Sequence, residues 1–460
     1  MATMEQIKAA CIHCGYEFYP RVKSPKKCGS CQKSWPLHRT DVAQSPKHHI
    51  KNDKPVKRGI TSIDSGTVTS PSGYLVGATF AGMKTYREDK LDLAILLSEK
   101  PCSTAGVFTT NKLKSHSVAL TQERMALGKA RAVIVNSGIA NACVGYHGYN
   151  DAKSMSAKAA SHLGLEANEV LVCSTGIIGV ELPMSLINSG VDRIEMKDDG
   201  GSMMARAIVT TDTRTKEIAV TFDLDGVKTT IGGVAKGSGM IHPNMATMLA
   251  FISTDAAIEP DMLQSMLEES VDLSFNMITV DGDTSTNDTV LLFANGASGT
   301  QFIKTDTKEY NLFKKALNQV CIYLAKEIVR DGEGATKVID ISIEGATSIS
   351  DARKAARSIA GSSLVKTAIY GNDPNWGRIV SAIGYSGAEV VEEKIALYIN
   401  GVCLMEEGIP VPFHRDSIIA IMSEPEISLK VNLNLGNSKA TAWGCDMTEA
   451  YVTINSAYTT

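Results

Sequence analysis

The chain has 460 residues, 43% of them apolar, which is enough for a large buried core and excludes a wholly disordered chain or a small disulfide-stapled scaffold. Its 46 basic and 50 acidic side chains give a formal net charge of −4, so the chain as a whole has no strong attraction for nucleic acid or anionic lipid. No apolar run reaches the roughly 18 residues that a membrane helix needs, and the first residues lack a secretory signal. We therefore expect a soluble, cytoplasmic protein without a membrane partner.

The charge is distributed unevenly along the chain. Residues 1–58 carry 12 Lys and Arg against 4 Asp and Glu, a net charge of +8, whereas residues 59–460 carry 34 against 46, a net charge of −12. Two parts with different surfaces are expected.

The first part contains two Cys-x-x-Cys pairs separated by thirteen residues, which is the spacing of a zinc ribbon. Four thiolates would close a tetrahedral structural zinc site and supply folding energy that so short a segment lacks; they belong to Cys11, Cys14, Cys28 and Cys31. We predict a zinc ribbon over residues 1–44. A redox dithiol is the alternative, but no thioredoxin-like βαβ pattern surrounds the pairs.

The segment that follows, SPKHHIKNDKPVKR (45–58), is polar, basic and interrupted by two prolines, which predicts a flexible linker. The six remaining cysteines are scattered singly through the rest of the chain, so we expect them to remain reduced thiols.

From residue 59 onward the pattern is mixed α and β. Alternating apolar and polar residues predict strands, each with one solvated face, over 216–224, 337–345, 394–400 and 426–435. Helical spacing predicts helices over 306–329, from about Pro260, and over 152–164 with Asp151 as the N-cap. The elements do not alternate regularly enough for a doubly wound nucleotide-binding fold.

The usual motifs of phosphate loops, dinucleotide folds, serine hydrolases and zinc peptidases do not occur in this sequence. Threonine, serine and asparagine are instead dense beside glycine, in VNSGIANAC (135–143), VCSTGIIG (172–179), VTTDT (209–213), KGSGMIHPNMATML (236–249) and ITVDGDTSTNDT (278–289). Such residues can solvate turns, or they can build an active site without histidine. A threonine freed at a chain terminus can use its own α-amine as the base for its hydroxyl.

Four segments occur together in one order: KGSGMIHPNMATMLAF (236–251), VDGDTSTNDT (280–289), GNDPNWGRI (371–379) and INSAYTT (454–460). In this combination, residues 59–460 resemble the ornithine acetyltransferase family of arginine biosynthesis, also called glutamate N-acetyltransferase. The resemblance implies an α/β sandwich with helices outside two packed β layers.

The resemblance also implies that the chain cuts itself between Ala246 and Thr247. Residues 59–246 would form the body of an alpha chain and residues 247–460 a beta chain, so that the products have 246 and 214 residues. The two chains would remain associated as a heterotetramer. Thr247 would become a new N-terminus and the catalytic nucleophile.

The implied reaction moves acetyl from N-acetylornithine to Thr247 and then to glutamate, without a catalytic cofactor. The family's oxyanion donors match Thr175 and Gly176. Its substrate contacts match Thr211, Lys236, Thr247, Glu333, Asn455 and Thr460. We interpret Lys236 as the partner of a substrate carboxylate and Glu333 as the partner of the ornithine ammonium. Whether acetyl-CoA also donates acetyl is left open by these residues.

Two features depart from the family pattern. Ile139 and Val144 stand where more polar residues are expected, and the N-terminal ribbon is not part of the usual family chain. The ribbon could bind nucleic acid, bind a partner protein or cap the body. Two other functions therefore stay open: a threonine-nucleophile amidase or peptidase, and a non-catalytic body with a nucleic-acid-binding ribbon.

Overall fold

The computed structural model describes residues 59–84, 90–242 and 248–457, together with the backbone of two short strands near the N-terminus. The chain divides into two compact units, Met1–Lys57 and Arg58–Thr460. In the first unit, β1 (Ala9–Ala10) and β2 (Glu17–Phe18) pair antiparallel. The linker 45–58 and the predicted zinc ligands lie outside the described residues; these ligands are Cys11, Cys14, Cys28 and Cys31.

The second unit contains the other helices and strands of the described residues. Its strands are β3 (Thr61–Ser62), β4 (Tyr74–Thr79), β5 (Leu93–Ser98), β6 (Ser103–Phe108), β7 (Ala132–Ile139), β8 (Val170–Ile177), β9 (Lys216–Leu224), β10 (Val227–Lys236), β11 (Leu249–Thr254), β12 (Ile278–Thr279), β13 (Thr289–Ala294), β14 (Val338–Ala346), β15 (Ala396–Ile399), β16 (Val402–Glu406), β17 (Ile409–Pro410), β18 (Glu426–Asn432) and β19 (Ser438–Cys445). Its α-helices are α1 (His116–Met125), α2 (His147–Leu163), α3 (Met184–Asp192), α4 (Gly201–Ile208), α5 (Pro260–Leu273), α6 (Lys308–Arg330), α7 (Ile349–Gly361), α8 (Ser363–Tyr370), α9 (Trp376–Gly384), α10 (Arg415–Met422) and α11 (Glu449–Ala457).

Two sheets face each other in the centre of the second unit. One has four strands in the order β4-β5-β7-β8, and the other has six in the order β3-β9-β10-β11-β13-β6. Strand β11 shows why they pack: Leu249 and Phe251 point into the core shared with the four-stranded sheet, while Ala250 and Ile252 point into the core on the other face. A continuous apolar run is what a strand buried on both faces requires.

Helices cover the outer faces of both sheets. Helices α1, α2 and α3 pack on the four-stranded sheet, and α5 and α6 pack on the six-stranded sheet. The expected α/β sandwich, with helices outside two β layers, is confirmed.

In the described part of the chain, no helix is both long and apolar enough to cross a membrane.

A third sheet has seven strands in the order β12-β19-β14-β18-β15-β16-β17, and α7 packs against β14 and β19. In β14, Ile339, Ile341 and Ile343 are buried, whereas Asp340 and Ser342 are partly exposed. This agrees with the predicted strand with one solvated face.

The six cysteines within the described residues all carry free thiols, as expected.

The predicted start of the helix over 152–164 is wrong. Helix α2 begins at His147, and Asp151 lies inside it rather than capping it. The side-chain amide of Asn141 donates a hydrogen bond to the Gly148 carbonyl at 2.8 Å, and the Asn141 carbonyl accepts from the His116 amide at 3.1 Å. These contacts tie the first turn of α2 to Asn141 and to the start of α1, and sequence periodicity does not reveal them.

The hairpin formed by β10 and β11 spans the predicted cleavage junction. Its antiparallel register runs from Ile231 opposite Thr254 to Lys236 opposite Leu249. The six-stranded sheet therefore combines four strands that precede residue 246 with two that follow it. Strand pairing and a shared core would hold the two products together after a cut.

Candidate active site

One pocket brings together six of the site residues predicted from the motifs. Its lining includes Thr175, Gly176, Thr211, Lys236, Glu333 and Asn455. The first four precede the predicted junction and the last two follow it, so both predicted chains build the pocket. The remaining predicted residues, Ala246, Thr247 and Thr460, lie outside the described residues.

The predicted oxyanion residues Thr175 and Gly176 lie near the C-terminal end of strand β8, where its parallel pairing with β7 is irregular. Gly176 has φ +130°, and a Cβ placed on it would lie 2.2 Å from the carbonyl carbon of Gly138. Only glycine allows this backbone conformation and this close approach. The side-chain amide of Asn287 donates to the Ser174 and Ala140 carbonyls, both at 2.7 Å, and fixes the strand end.

Lys236 ends strand β10 and is only 2% exposed. Its ammonium donates a hydrogen bond to the Thr175 hydroxyl at 3.3 Å, so it lies directly beside the predicted oxyanion residues. Burial lowers the pKa of Lys236, and the second lysine nearby, Lys216, lowers it further; the carboxylates of Asp212, Asp288 and Glu333 oppose this effect. In its protonated form Lys236 is a desolvated cation, and such a cation binds a substrate anion strongly.

Glu333 follows α6 in a turn and is 8% exposed. Its backbone amide donates to the Ser238 carbonyl at 2.8 Å, and the side chain of Asn455 donates to its Oε2 at 2.8 Å. The hydroxyl of Thr211 contacts the Ser238 hydroxyl at 2.7 Å. Ser238, two residues after Lys236, therefore contacts both Thr211 and Glu333, and Asn455 is joined to it through Glu333.

A group of acidic residues forms another part of the pocket wall, where Asp281 and Asp283 lie with Glu333. Asp281 accepts hydrogen bonds from the backbone amides of Met240, Ile241 and Asp283, so its carboxylate caps the turns at both ends of this segment pair. Burial raises the pKa of Asp281, and burial together with these carboxylates raises the pKa of the adjacent Tyr451. This wall suits an ammonium group.

Sequence reasoning missed Lys84, which also lines the pocket. Its ammonium donates to the carbonyls of Leu91 at 3.0 Å and Ala207 at 2.9 Å. Burial lowers its pKa to about 8; Lys236 and Lys90 also lower it, and Asp92 and Asp212 raise it. No local pattern distinguishes this lysine in a charged segment, so only the tertiary structure reveals it.

Sequence reasoning also missed the role of Asp288, which is fully buried. Its Oδ1 accepts the backbone amide of Met248 at 3.0 Å, and the Met248 carbonyl accepts from the Thr289 amide at 3.1 Å. Burial raises the pKa of Asp288 well above its usual value, although the Lys236 ammonium opposes the shift. Both backbone groups of the residue directly after Thr247 are thus fixed.

Across the described ranges 59–84, 90–242 and 248–457, no cluster of three or more His, Cys, Asp or Glu side chains could hold a metal ion. Ile139, where a more polar residue was expected, is 7% exposed and packs in the core between the four-stranded sheet and its helices.

Comparison with known proteins identifies the family. The profile of the ArgJ family matches residues 75–460. The arginine biosynthesis bifunctional protein ArgJ of Symbiobacterium thermophilum is 47% identical over 398 residues, covering 86% of this chain and 99% of its own. The protein of the same name from Dehalococcoides mccartyi is 46% identical over 405 residues, covering 88% and 100%.

A solved structure is also similar: the crystal structure of arginine biosynthesis bifunctional protein argJ from Bacillus halodurans has a TM-score of 0.45 and 45% identity, covering 45% of this chain and 98% of its own. The family profile and the two sequence relatives establish that the chain belongs to the ArgJ family. The resemblance that its motifs indicated is confirmed.

Proposed function

We propose that this protein transfers acetyl from N-acetylornithine to glutamate in arginine biosynthesis, after cutting itself between Ala246 and Thr247. The observation that carries the proposal is the convergence of six motif residues, from both sides of that junction, on one pocket. Relatives at 46–47% identity that carry the name arginine biosynthesis bifunctional protein support the same conclusion.

Self-cleavage begins when the Thr247 hydroxyl attacks the Ala246 carbonyl. The peptide C–N bond breaks as the acyl group moves to oxygen, and water then hydrolyses the resulting ester. The products are a carboxylate on Ala246 and a free α-amine on Thr247. That amine, locked in an amide before cleavage, then becomes the base for the hydroxyl of the same residue.

Transfer uses the freed threonine twice. Its hydroxyl attacks the acetyl carbonyl of N-acetylornithine and gives its proton to the α-amine, and the C–N bond then breaks so that ornithine leaves with that proton. The amine of glutamate then attacks the acetyl ester, the bond between the acetyl carbon and the threonine oxygen breaks, and the proton lost from the glutamate nitrogen passes through the α-amine to that oxygen, which restores the hydroxyl. Each tetrahedral intermediate carries an oxyanion, for which Thr175 and Gly176 are the proposed donors.

The charges of the pocket favour a substrate that carries charges of both signs. Lys236 and Lys84 supply positive charge near the predicted oxyanion residues, and Glu333 and Asp281 supply negative charge in another part of the wall. A substrate carboxylate would bind the lysines and a free ammonium would bind Glu333. Oriented pairing of this kind keeps the acetyl group in place for attack.

The decisive experiment incubates the purified protein with N-acetylornithine, with and without glutamate. We expect ornithine and N-acetylglutamate in equal amounts when glutamate is present, and without glutamate only a burst of about one ornithine per active site as the acetyl ester forms. Acetate release that does not depend on glutamate would contradict the proposal and favour an amidase or peptidase. Replacing N-acetylornithine with acetyl-CoA in the same assay tests the second donor directly.

The pH dependence of substrate binding tests the role of Lys84. Because its pKa is lowered to about 8, the side chain is charged below that pH and neutral above it. The KM for N-acetylornithine should rise about tenfold between pH 7 and pH 9, since a charge-assisted hydrogen bond is lost. Lys84→Met should show a high KM that varies little over this range, with kcat largely retained.

Exposed Lys129 provides a control, because Lys129→Met removes a surface charge of the same kind that neither lines the pocket nor shifts the pKa of Lys84. Steady-state kinetics at half-unit pH intervals make the comparison. A wild-type KM that is flat to pH 9 would refute this role for Lys84.

The N-terminal cysteine pairs provide a separate proposal, which rests on their spacing alone. We propose that Cys11, Cys14, Cys28 and Cys31 hold a structural zinc ion, so the purified chain should contain about one zinc per molecule. Cys11→Ser/Cys14→Ser should lose the metal, whereas Cys403→Ser should keep it. Elemental analysis of the wild-type protein checks this, and a zinc-free protein with a folded N-terminal segment would refute it.

A further inference from the structure

A fully buried cluster of three charged side chains lies among the segments that carry the pocket residues. The ammonium of Lys216 bonds to Asp212 Oδ1 at 2.6 Å and to Asp331 Oδ2 at 2.6 Å. The side chains of Lys216, Asp212 and Asp331 are 0%, 0% and 3% exposed. Burying three charges is costly and often gives no net stability over apolar packing, so stability alone is a poor reason for such a cluster.

Each carboxylate of the cluster also holds a neighbouring backbone segment. Asp212 Oδ1 accepts the amide of Gly237 at 2.7 Å, and Asp331 accepts both the amide and the hydroxyl of Thr213. Asp212 directly follows Thr211 in the chain, Gly237 directly follows Lys236, and Asp331 lies two residues before Glu333. The cluster therefore links the three backbone segments that carry Thr211, Lys236 and Glu333.

The cluster also crosses the predicted junction. Asp212 and Lys216 belong to the part of the chain before residue 246, whereas Asp331 belongs to the part after it. The distance along the sequence between Lys216 and Asp331 is 115 residues. After cleavage this ion pair would join the two products directly beneath the site.

We propose that Asp212, Lys216 and Asp331 are positioning residues for the acetyl transfer: they fix the three substrate-binding segments relative to one another, and the Asp212 carboxylate, bonded to the Gly237 amide next to Lys236, is a counter-charge for the Lys236 ammonium. This inference rests on the proposed function of the same pocket. None of the three residues lines the pocket, so each acts on the substrate through Thr211, Lys236 or Glu333.

Asp212 and Lys236 each act on the pKa of the other through their charges. Burial alone would raise the pKa of Asp212, but Lys216 and Lys236 hold it at about 2. Burial lowers the pKa of Lys236, and Asp212 is the first of the carboxylates that oppose this, followed by Asp288 and Glu333. Neutralising Asp212 would therefore lower the pKa of Lys236, and also that of Lys84, on which Asp212 acts too.

Asp212→Asn tests the inference because asparagine keeps the shape and an acceptor for the Gly237 amide but removes the charge. The pH at which KM for N-acetylornithine starts to rise should fall by at least about one unit, and KM at pH 7 should rise about tenfold or more. A purely structural role would lower the melting temperature without moving that pH.

Two further variants complete the comparison. Asp331→Asn removes a charge whose bonds reach Lys216 and Thr213, so kcat/KM should fall with little shift in the pH dependence. Glu344→Gln removes a charge from a partly exposed pair with Lys430 and should behave like wild type. Wild-type pH dependence in a folded Asp212→Asn would overturn the inference.

If Asp212→Asn does not fold, Asp212→Glu provides the test, since it keeps the charge and displaces it by one methylene. KM should then rise about tenfold with its pH dependence unchanged, and wild-type kinetics would overturn the inference. The wild-type protein is assayed in parallel: absence of acetyl transfer there refutes the proposed function, whereas normal wild-type activity with unaltered variants refutes only the positioning role.

Discussion

Replacing Thr247 with alanine should leave the protein as one chain of 49.2 kDa and remove acetyl transfer. The methyl side chain cannot attack the Ala246 carbonyl, so no cut occurs, and it cannot carry an acetyl ester. Removing the nucleophile of a serine protease lowers kcat by a factor of about 10⁶, so we expect kcat for acetyl transfer to fall by at least about 10⁴-fold here. A denaturing gel and N-terminal sequencing should show a second chain beginning TMLAF in the wild type only.

Two controls separate the hydroxyl from general damage at the site. Thr247→Ser keeps a hydroxyl and should still be cut and retain part of the activity. Thr305→Ala removes an exposed threonine away from the pocket and should be cut and fully active. An unbroken wild-type protein that transfers acetyl at full rate would contradict both the cleavage and the proposed base.

Elements with strong local patterns were predicted closely. Strand β9 has the predicted bounds 216–224, and helix α6 runs over Lys308–Arg330 where 306–329 was predicted. In both, the alternation or helical spacing of apolar residues matches the face that the structure buries. The start of α2 was missed because the spacing of apolar residues does not show that Asn141 bonds both to Gly148, in the first turn of α2, and to His116, at the start of α1.

The pocket shows a similar division between what motifs reveal and what only the fold reveals. Six residues were identified from the segments that resemble the family, and the structure brings all six together. Lys84, Lys216 and Asp288 were not identified, because their importance lies in burial and in partners distant along the chain. A lysine such as Lys216 ordinarily indicates a solvated strand face, and nothing local shows that two carboxylates enclose it.

A second large effect is expected from Gly176→Ala. The new Cβ would lie 2.2 Å and 2.4 Å from the carbonyl carbon and oxygen of Gly138, and the φ of +130° is strained for any residue with a side chain. Because backbone rather than a flexible side chain blocks the methyl group, the ends of β7 and β8 must move apart. The amide of residue 176 and the hydroxyl of Thr175, the proposed oxyanion donors, would then be displaced.

Loss of one oxyanion donor costs about 10²–10³-fold in kcat, and we expect a fall of this size for Gly176→Ala, with a smaller change in KM. Gly384→Ala is the matched control, since nothing lies within 4 Å of its added Cβ and α9 ends there. Kinetics and thermal melting of both variants make the measurement. A folded Gly176→Ala protein with wild-type kcat would show that this glycine is required neither for the strand geometry nor for stabilising the oxyanion, and the proposed donor pair would have to be replaced by another.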